Sequence, residues 1–138
     1  MPLSCLQVLA GAFALSRRSY ESYYLQAQRV RRLVRDDFER VFDAGVDVLL
    51  TPTTPTAAPT IGHATALSRL EGYANDVFTV PASLAGLPAI SVPAGVDEQG
   101  LPLGLQVIGR VGCEEALLRV AQVIEDRAAW ASTAPNLK

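Results

Sequence analysis

The chain has 138 residues, 49% of them hydrophobic and 19% charged, which is enough apolar content to bury a core and excludes a disordered segment. Its length suits one domain or one large piece of a bigger one. A net charge of −2 and a pI near 5.3 give the surface as a whole no nucleic-acid signature.

Residues 1–15, MPLSCLQVLAGAFAL, are apolar with small residues, but they lack a basic start and run straight into an amphipathic pattern. We therefore read no signal peptide there, and no Arg-rich, acid-poor transit segment either. Residues 5–16 predict a short, mostly apolar helix packed against something else. The segment SYESYYLQAQRVRRLVRDDFERVFDA is the clearest helix: Tyr20, Tyr23, Ala27, Val30, Val34, Phe38 and Val41 recur at three- and four-residue steps as one apolar stripe. Arg32–Asp36, Arg35–Glu39 and Asp36–Arg40 stand four apart on its outer face, and Gly45 is placed to end it. Seven arginines meet four acids between Arg17 and Arg40. Two readings of this basic face stay open: a solvated helix surface, or a contact for nucleic-acid phosphate.

Val46–Leu50, VDVLL, predicts a short buried strand. Three prolines in the eight residues Pro52–Pro59 then deny any ladder its donors and predict an extended loop. Residues 67–78 read as a loop entering a helical turn, and Thr79–Gly95 as a loop and strand bent at its prolines and glycines. Two strands are expected at Ala89–Ala94 and Gly104–Ile108 around the turn VDEQG, with Pro93 marking an edge or a bulge. CEEALLRVAQVIEDRAAW closes the pattern as an amphipathic helix with Leu117, Val120, Ala121 and Ile124 on its inner face and Glu114 and Glu115 in its first turn.

The reactive side chains are few. Lys138 and His63 are the only lysine and histidine. Neither is set to activate a serine: His63 lies in the proline loop, and Lys138 ends the chain. Ser83 and Ser91 lie in no G-x-S-x-G elbow, and no phosphate loop, dinucleotide fingerprint or metal spacing is present. Cys5 and Cys113 fit no redox or metal pattern, which predicts a reducing compartment, and no apolar run is long enough to span a bilayer.

GAFALS, YYLQAQRVRRLVRDDFERVF, DVLLTPTTPT, YANDVFTVPASLAGLPAISVPAG and GLPLGLQVIGR together resemble the C-terminal portion of the amidase signature family. Within it they are most like its glutamyl-tRNA(Gln) amidotransferase A subunits. The resemblance implies an α/β fold, a mixed β-sheet flanked by helices, here incomplete. It implies three stretches: a divergent or alternative N-terminus over 1–10, the C-terminal part of an amidase signature domain over 11–130, and a frayed tail over 131–138.

Family members hydrolyse glutamine with a Ser–Ser–Lys triad, and the ammonia converts Glu-tRNA(Gln) to Gln-tRNA(Gln) at a partner subunit. The triad belongs to an earlier segment that nothing in these residues matches, so the resemblance implies a chain that is inactive alone. By resemblance the acid of YAND, Asp76, binds the substrate α-amino group; its alternative is a helix N-cap ahead of VFTVP. The family arginine for the substrate carboxylate falls near Gln7, and residues 1–10 contain no arginine.

The implied partners are amidotransferase subunits of the B and C types, glutamine, and tRNA reached through the complex, with no membrane. No cofactor is implied in this chain, ATP and magnesium belonging to another subunit. The wording AGVDVLLTPT leans toward a mitochondrial matrix parent, otherwise a cytoplasmic one. Two alternatives remain, a non-catalytic fragment that binds a partner and a fragment of another amidase signature hydrolase.

Overall fold

A computed structural model describes residues 3–62 and 69–128. Its elements in chain order are α1 (Leu3–Ala14), a π-helical turn (Tyr20–Leu25), α2 (Gln26–Asp43), β1 (Val48–Pro52), α3 (Arg69–Ala74), α4 (Val80–Ala85), β2 (Ala89–Val96), β3 (Pro102–Gly109) and α5 (Glu114–Ala128). The strands form one antiparallel sheet in the order β1-β3-β2, with β3 in the centre. The α/β class and the incomplete, helix-flanked sheet agree with the sequence reading.

Alternation along β3 sorts the sheet into two faces. Val107 and Gly109 face α5, where a Cβ on Gly109 would meet Leu117 Cδ1 at 3.2 Å. The helix can lie this close only because position 109 has no side chain. Val107 is fully buried at 0% exposure, and Val92, Leu117 and Ala121 are buried on the same side of the molecule. Burying a valine of this kind is worth about 1.5–3 kcal/mol. The opposite face carries Gln106 and Ile108, and the segment from Phe78 into α4 lies over it, since Gln106 reaches Phe78 O. Outside α4 runs α2, tied to it by Arg31 Nε donating to Leu84 O at 2.6 Å.

The β2–β3 hairpin forms as expected, and the register shifts between Pro93 and Gly95, the bulge that Pro93 signalled. Its turn is built by one carboxylate: Asp97 Oδ1 accepts Gln99 N at 2.9 Å and Leu101 N at 2.8 Å, while Gly100 takes φ +81°. Asp97→Ala removes both acceptors, and about 1–2 kcal/mol of hairpin stability is expected to go with them. Faster amide exchange across residues 96–103 is the readout.

Several expectations are corrected. The Tyr-rich start of the long helix is wound as a π-helix, with Tyr20 and Tyr24 stacked at 5.0 Å between ring centroids. Arg32–Asp36 and Arg35–Glu39 pair at 2.7 Å, but Arg40 turns to Asp37 instead of Asp36, because Asp36 is already engaged by Arg32. The Arg35 hydrogen bond, helped by the Arg35, Arg32 and Arg110 charges, holds the Glu39 carboxyl below its ordinary range. Gly45, at φ +94°, does end the helix.

The helix stripe, by contrast, is not an inner face. Tyr20, Tyr23, Val30 and Val41 are exposed, and Val34 and Phe38 are half-covered, lining a concavity together with Pro81 and Leu49. Helix α1 is largely exposed as well, and its Phe13 meets the Tyr23 ring edge-on at 5.5 Å between centroids. The strand expected to be buried at Val46–Leu50 runs Val48–Pro52 and is a half-exposed edge. Helix α4 stands where loop and strand were expected. His63, Trp130 and Lys138 lie outside the described residues.

So much bared apolar side chain should capture a hydrophobic dye. The purified chain is expected to bind such a dye and to melt broadly, and a monomer with one sharp two-state transition would contradict this.

Candidate functional site

Thr51 of β1, Gln106 of β3 and Ser91 of β2 stand directly opposite one another, so one row of polar side chains crosses the sheet on a single face. A second row, one pleat away, holds Gly104 of β3 opposite Pro93, with Thr53 N donating to Gly104 O at 3.0 Å. Thr53 and Ser91 hydroxyls meet at 2.6 Å and join the two rows, while within the first row Gln106 Nε2 donates to Thr51 Oγ1 at 2.9 Å.

The Thr53–Ser91 contact spans the two outer strands above the central one. Adjacent strands lie about 4.8 Å apart, so side chains from the outer pair touch only if the middle strand offers nothing between them. Gly104 provides that gap. A Cβ there would sit 2.9 Å from both Ser91 Oγ and Thr53 Oγ1.

The polar row continues into the segment that carries Asp76. Gln106 Nε2 also donates to Phe78 O at 2.9 Å, and Phe78 lies two residues from Asp76, about 8 Å of backbone at most. Asp76 O accepts Thr79 N at 3.1 Å, Val80 N at 3.0 Å and Thr79 Oγ1 at 3.3 Å, so its main chain builds the turn into α4. The N-cap of α4 is Thr79. Asp76 therefore does not cap that helix, and its side chain is exposed.

The serines have ordinary partners. Ser83 Oγ donates back to Thr79 O at 3.3 Å within α4, and Ser91 Oγ shares its hydrogen bond with Thr53. A neutral hydroxyl is no general base, and among the described residues the partners of Ser83 and Ser91 are a main-chain carbonyl and a threonine hydroxyl, not a carboxylate. Ser91 is exposed and hydrogen-bonded. Among the described residues, concavities lie along α2, lined by such residues as Val34, Phe38 and Pro81, or Gln28, Arg31 and Arg35, and these linings do not include Thr51, Thr53, Ser91 or Gln106.

Among the described residues there is no group of three or more His, Cys, Asp and Glu placed to hold a metal, and no helix long and apolar enough to cross a membrane. Cys5 and Cys113 are both free and exposed.

Sequence reading named Asp76 but missed Thr51, Thr53, Gly104 and Gln106. The available signal was Gln106 itself. A glutamine inside the apolar run LGLQVIG must find partners if it is buried, and at 4% exposure it is.

Residues 4–118 are matched by the family model for amidases; the chain belongs to the amidase family. It is 53% identical over 122 residues to the glutamyl-tRNA(Gln) amidotransferase A subunit of Nitrobacter winogradskyi, covering 88% of this chain and 25% of that protein. The crystal structure of the corresponding amidotransferase A subunit from Thermotoga maritima superimposes with a TM-score of 0.74 at 41% identity, over 92% of this chain and 27% of that one. A 6-aminohexanoate cyclic dimer hydrolase gives 0.75 at 28% identity, over 96% and 29%. The chain thus spans about a quarter of the length of the relatives it matches.

Proposed function

We propose that this chain is the C-terminal part of the glutamine-hydrolysing A subunit of a glutamyl-tRNA(Gln) amidotransferase, and that it lines the glutamine pocket without reacting in it. The observation that carries the reading is the turn at Asp76: an exposed carboxylate, free of capping duty, held to a row of hydroxyl and amide groups through Gln106. A carboxylate in that setting pairs with an ammonium by charge-assisted hydrogen bonds, which suits the α-amino group of glutamine. The high identity to amidotransferase relatives favours this substrate over the cyclic amide named for the structurally similar hydrolase.

On this reading a nucleophilic serine and its lysine come from a preceding segment of the subunit, and the ammonia passes to B- and C-type partners. ATP and magnesium act at another subunit. Contact with tRNA is made through the complex, since Arg32, Arg35 and Arg40 of α2 are tied into ion pairs, Arg31 into the Leu84 carbonyl and Arg29 into the Gln26 side chain. The relatives named above are bacterial, which lends a mitochondrial location no support.

Asp76→Asn in the complete subunit tests the reading. It keeps the size and removes the charge, and the KM for glutamine is expected to rise about 10–100-fold, the worth of a charge-assisted pair. An unchanged KM would remove Asp76 from the pocket.

The exposed apolar faces of α1 and α2 favour a second reading, a non-catalytic product that only binds a partner. Mass spectrometry of the endogenous protein separates the two. Peptides from an upstream Gly/Ser-rich segment exist only if the natural product is the longer enzyme subunit.

A further inference from the structure

Gln106 has more to do than fill a place in the sheet. It sits on the central strand at 4% exposure, and both protons of its Nε2 are committed, one to Thr51 Oγ1 and one to Phe78 O. The first bond stays inside the sheet. The second crosses to the segment that lies over it.

Among the described residues, that segment's other hydrogen bonds are short-range. Asp76 N donates to Tyr73 O, Val77 N to Ala74 O, and Thr79 N and Val80 N to Asp76 O. Bonds of this kind define the curl of a turn and leave its place on the sheet undefined. A side chain anchored on β3 supplies the missing constraint, and Thr51 fixes the rotamer of that anchor by taking its other proton.

The geometry points to Gln106 as the positioning residue for Asp76: by holding the Phe78 carbonyl it sets where the Asp76 carboxylate stands above the sheet. The role rests on the reading of Asp76 as the contact for the substrate ammonium. The chemistry makes placement matter, because a charge-assisted hydrogen bond tolerates little displacement and a misplacement of about 1 Å can cost a hundredfold. Leucine at position 106 loses both bonds and leaves the Phe78 carbonyl without its donor. Glutamate keeps the volume and can accept from the Thr51 hydroxyl, but it has no proton for the Phe78 carbonyl and turns an acceptor toward it.

Two measurements test this together: amide exchange on the 138-residue chain, and glutamine kinetics in the complete subunit. Gln106→Leu and Gln106→Glu are each expected to accelerate exchange over residues 76–80 about tenfold, with β2 and β3 changing less than about threefold. In the subunit the KM for glutamine is expected to rise about tenfold while kcat stays within about threefold. Equal acceleration of residues 76–80, β2 and β3 makes Gln106 a plain structural residue and overturns the proposal. So does an unchanged KM in Gln106→Glu when Asp76→Asn has lost affinity. The reverse pattern, a KM unmoved by Asp76→Asn with residues 76–80 still loosened by Gln106→Leu, sinks the Asp76 reading and with it the role in glutamine binding.

Discussion

Incubated with L-glutamine, the 138-residue chain is expected to release no ammonia above the rate of buffer alone. The argument is one of inventory and then of geometry. A serine hydroxyl is a weak nucleophile at neutral pH and needs a base within hydrogen-bond reach, a contribution of about 10²–10⁴-fold. The only lysine and histidine are Lys138 and His63. Ser91 bonds the Thr53 hydroxyl and Ser83 bonds a main-chain carbonyl, neither of which can take its proton. The amide donor nearest this chemistry, Gln106 Nε2, is fully committed. Ammonia release that survives Ser83→Ala and Ser91→Ala, or an acyl adduct recovered on any side chain of this polypeptide, would refute the claim.

Gly104→Val is expected to be the most damaging single substitution in the sheet. Even the first added carbon would stand 2.9 Å from two hydroxyl oxygens and 3.2 Å from Thr53 Cβ. Two effects oppose each other. A side chain in mid-strand recovers roughly 0.5–1 kcal/mol of the entropy that glycine loses on folding. Against it stands overpacking, typically about 1–3 kcal/mol, together with the Thr53–Ser91 bond, worth about 1 kcal/mol. The steric term wins, and a net loss of about 2–3 kcal/mol is expected for valine and about 1 kcal/mol for alanine. Exchange rates of the β3 amides should report it. The clash is shared with Ser91, so Ser91→Ala should cost less in the Gly104→Ala background than alone. Strict additivity of the two would mean the hydroxyl bridge is not what Gly104 protects.

The amino-acid order alone determined the local elements. The 3.6-residue spacing of Leu117, Val120, Ala121 and Ile124 produced α5 with that face inward, and Asp97 and Gly100 produced the hairpin turn. Pro93 announced the bulge. Local signals fail where two codes share residues: the proline and the glycine of TVPASLAG suggest bends, yet Pro81 stands in the first turn of α4 and Gly86 caps its end at φ +73°. Pro near the start and Gly just past the end are helix punctuation.

What only the tertiary structure decided is which faces are covered and which distant residues meet. The stripe on α2 has the period of a buried face, but a period says that a face is apolar, not that anything lies against it. Ser91 and Thr53 are 38 residues apart, and Thr51 and Gln106 are 55 apart. Their meeting depends on strand order and register, set by pairing across the whole sheet and by a glycine whose missing side chain leaves room above the central strand. No window along the chain contains that information, because register is a relation between strands and not a property of any one of them.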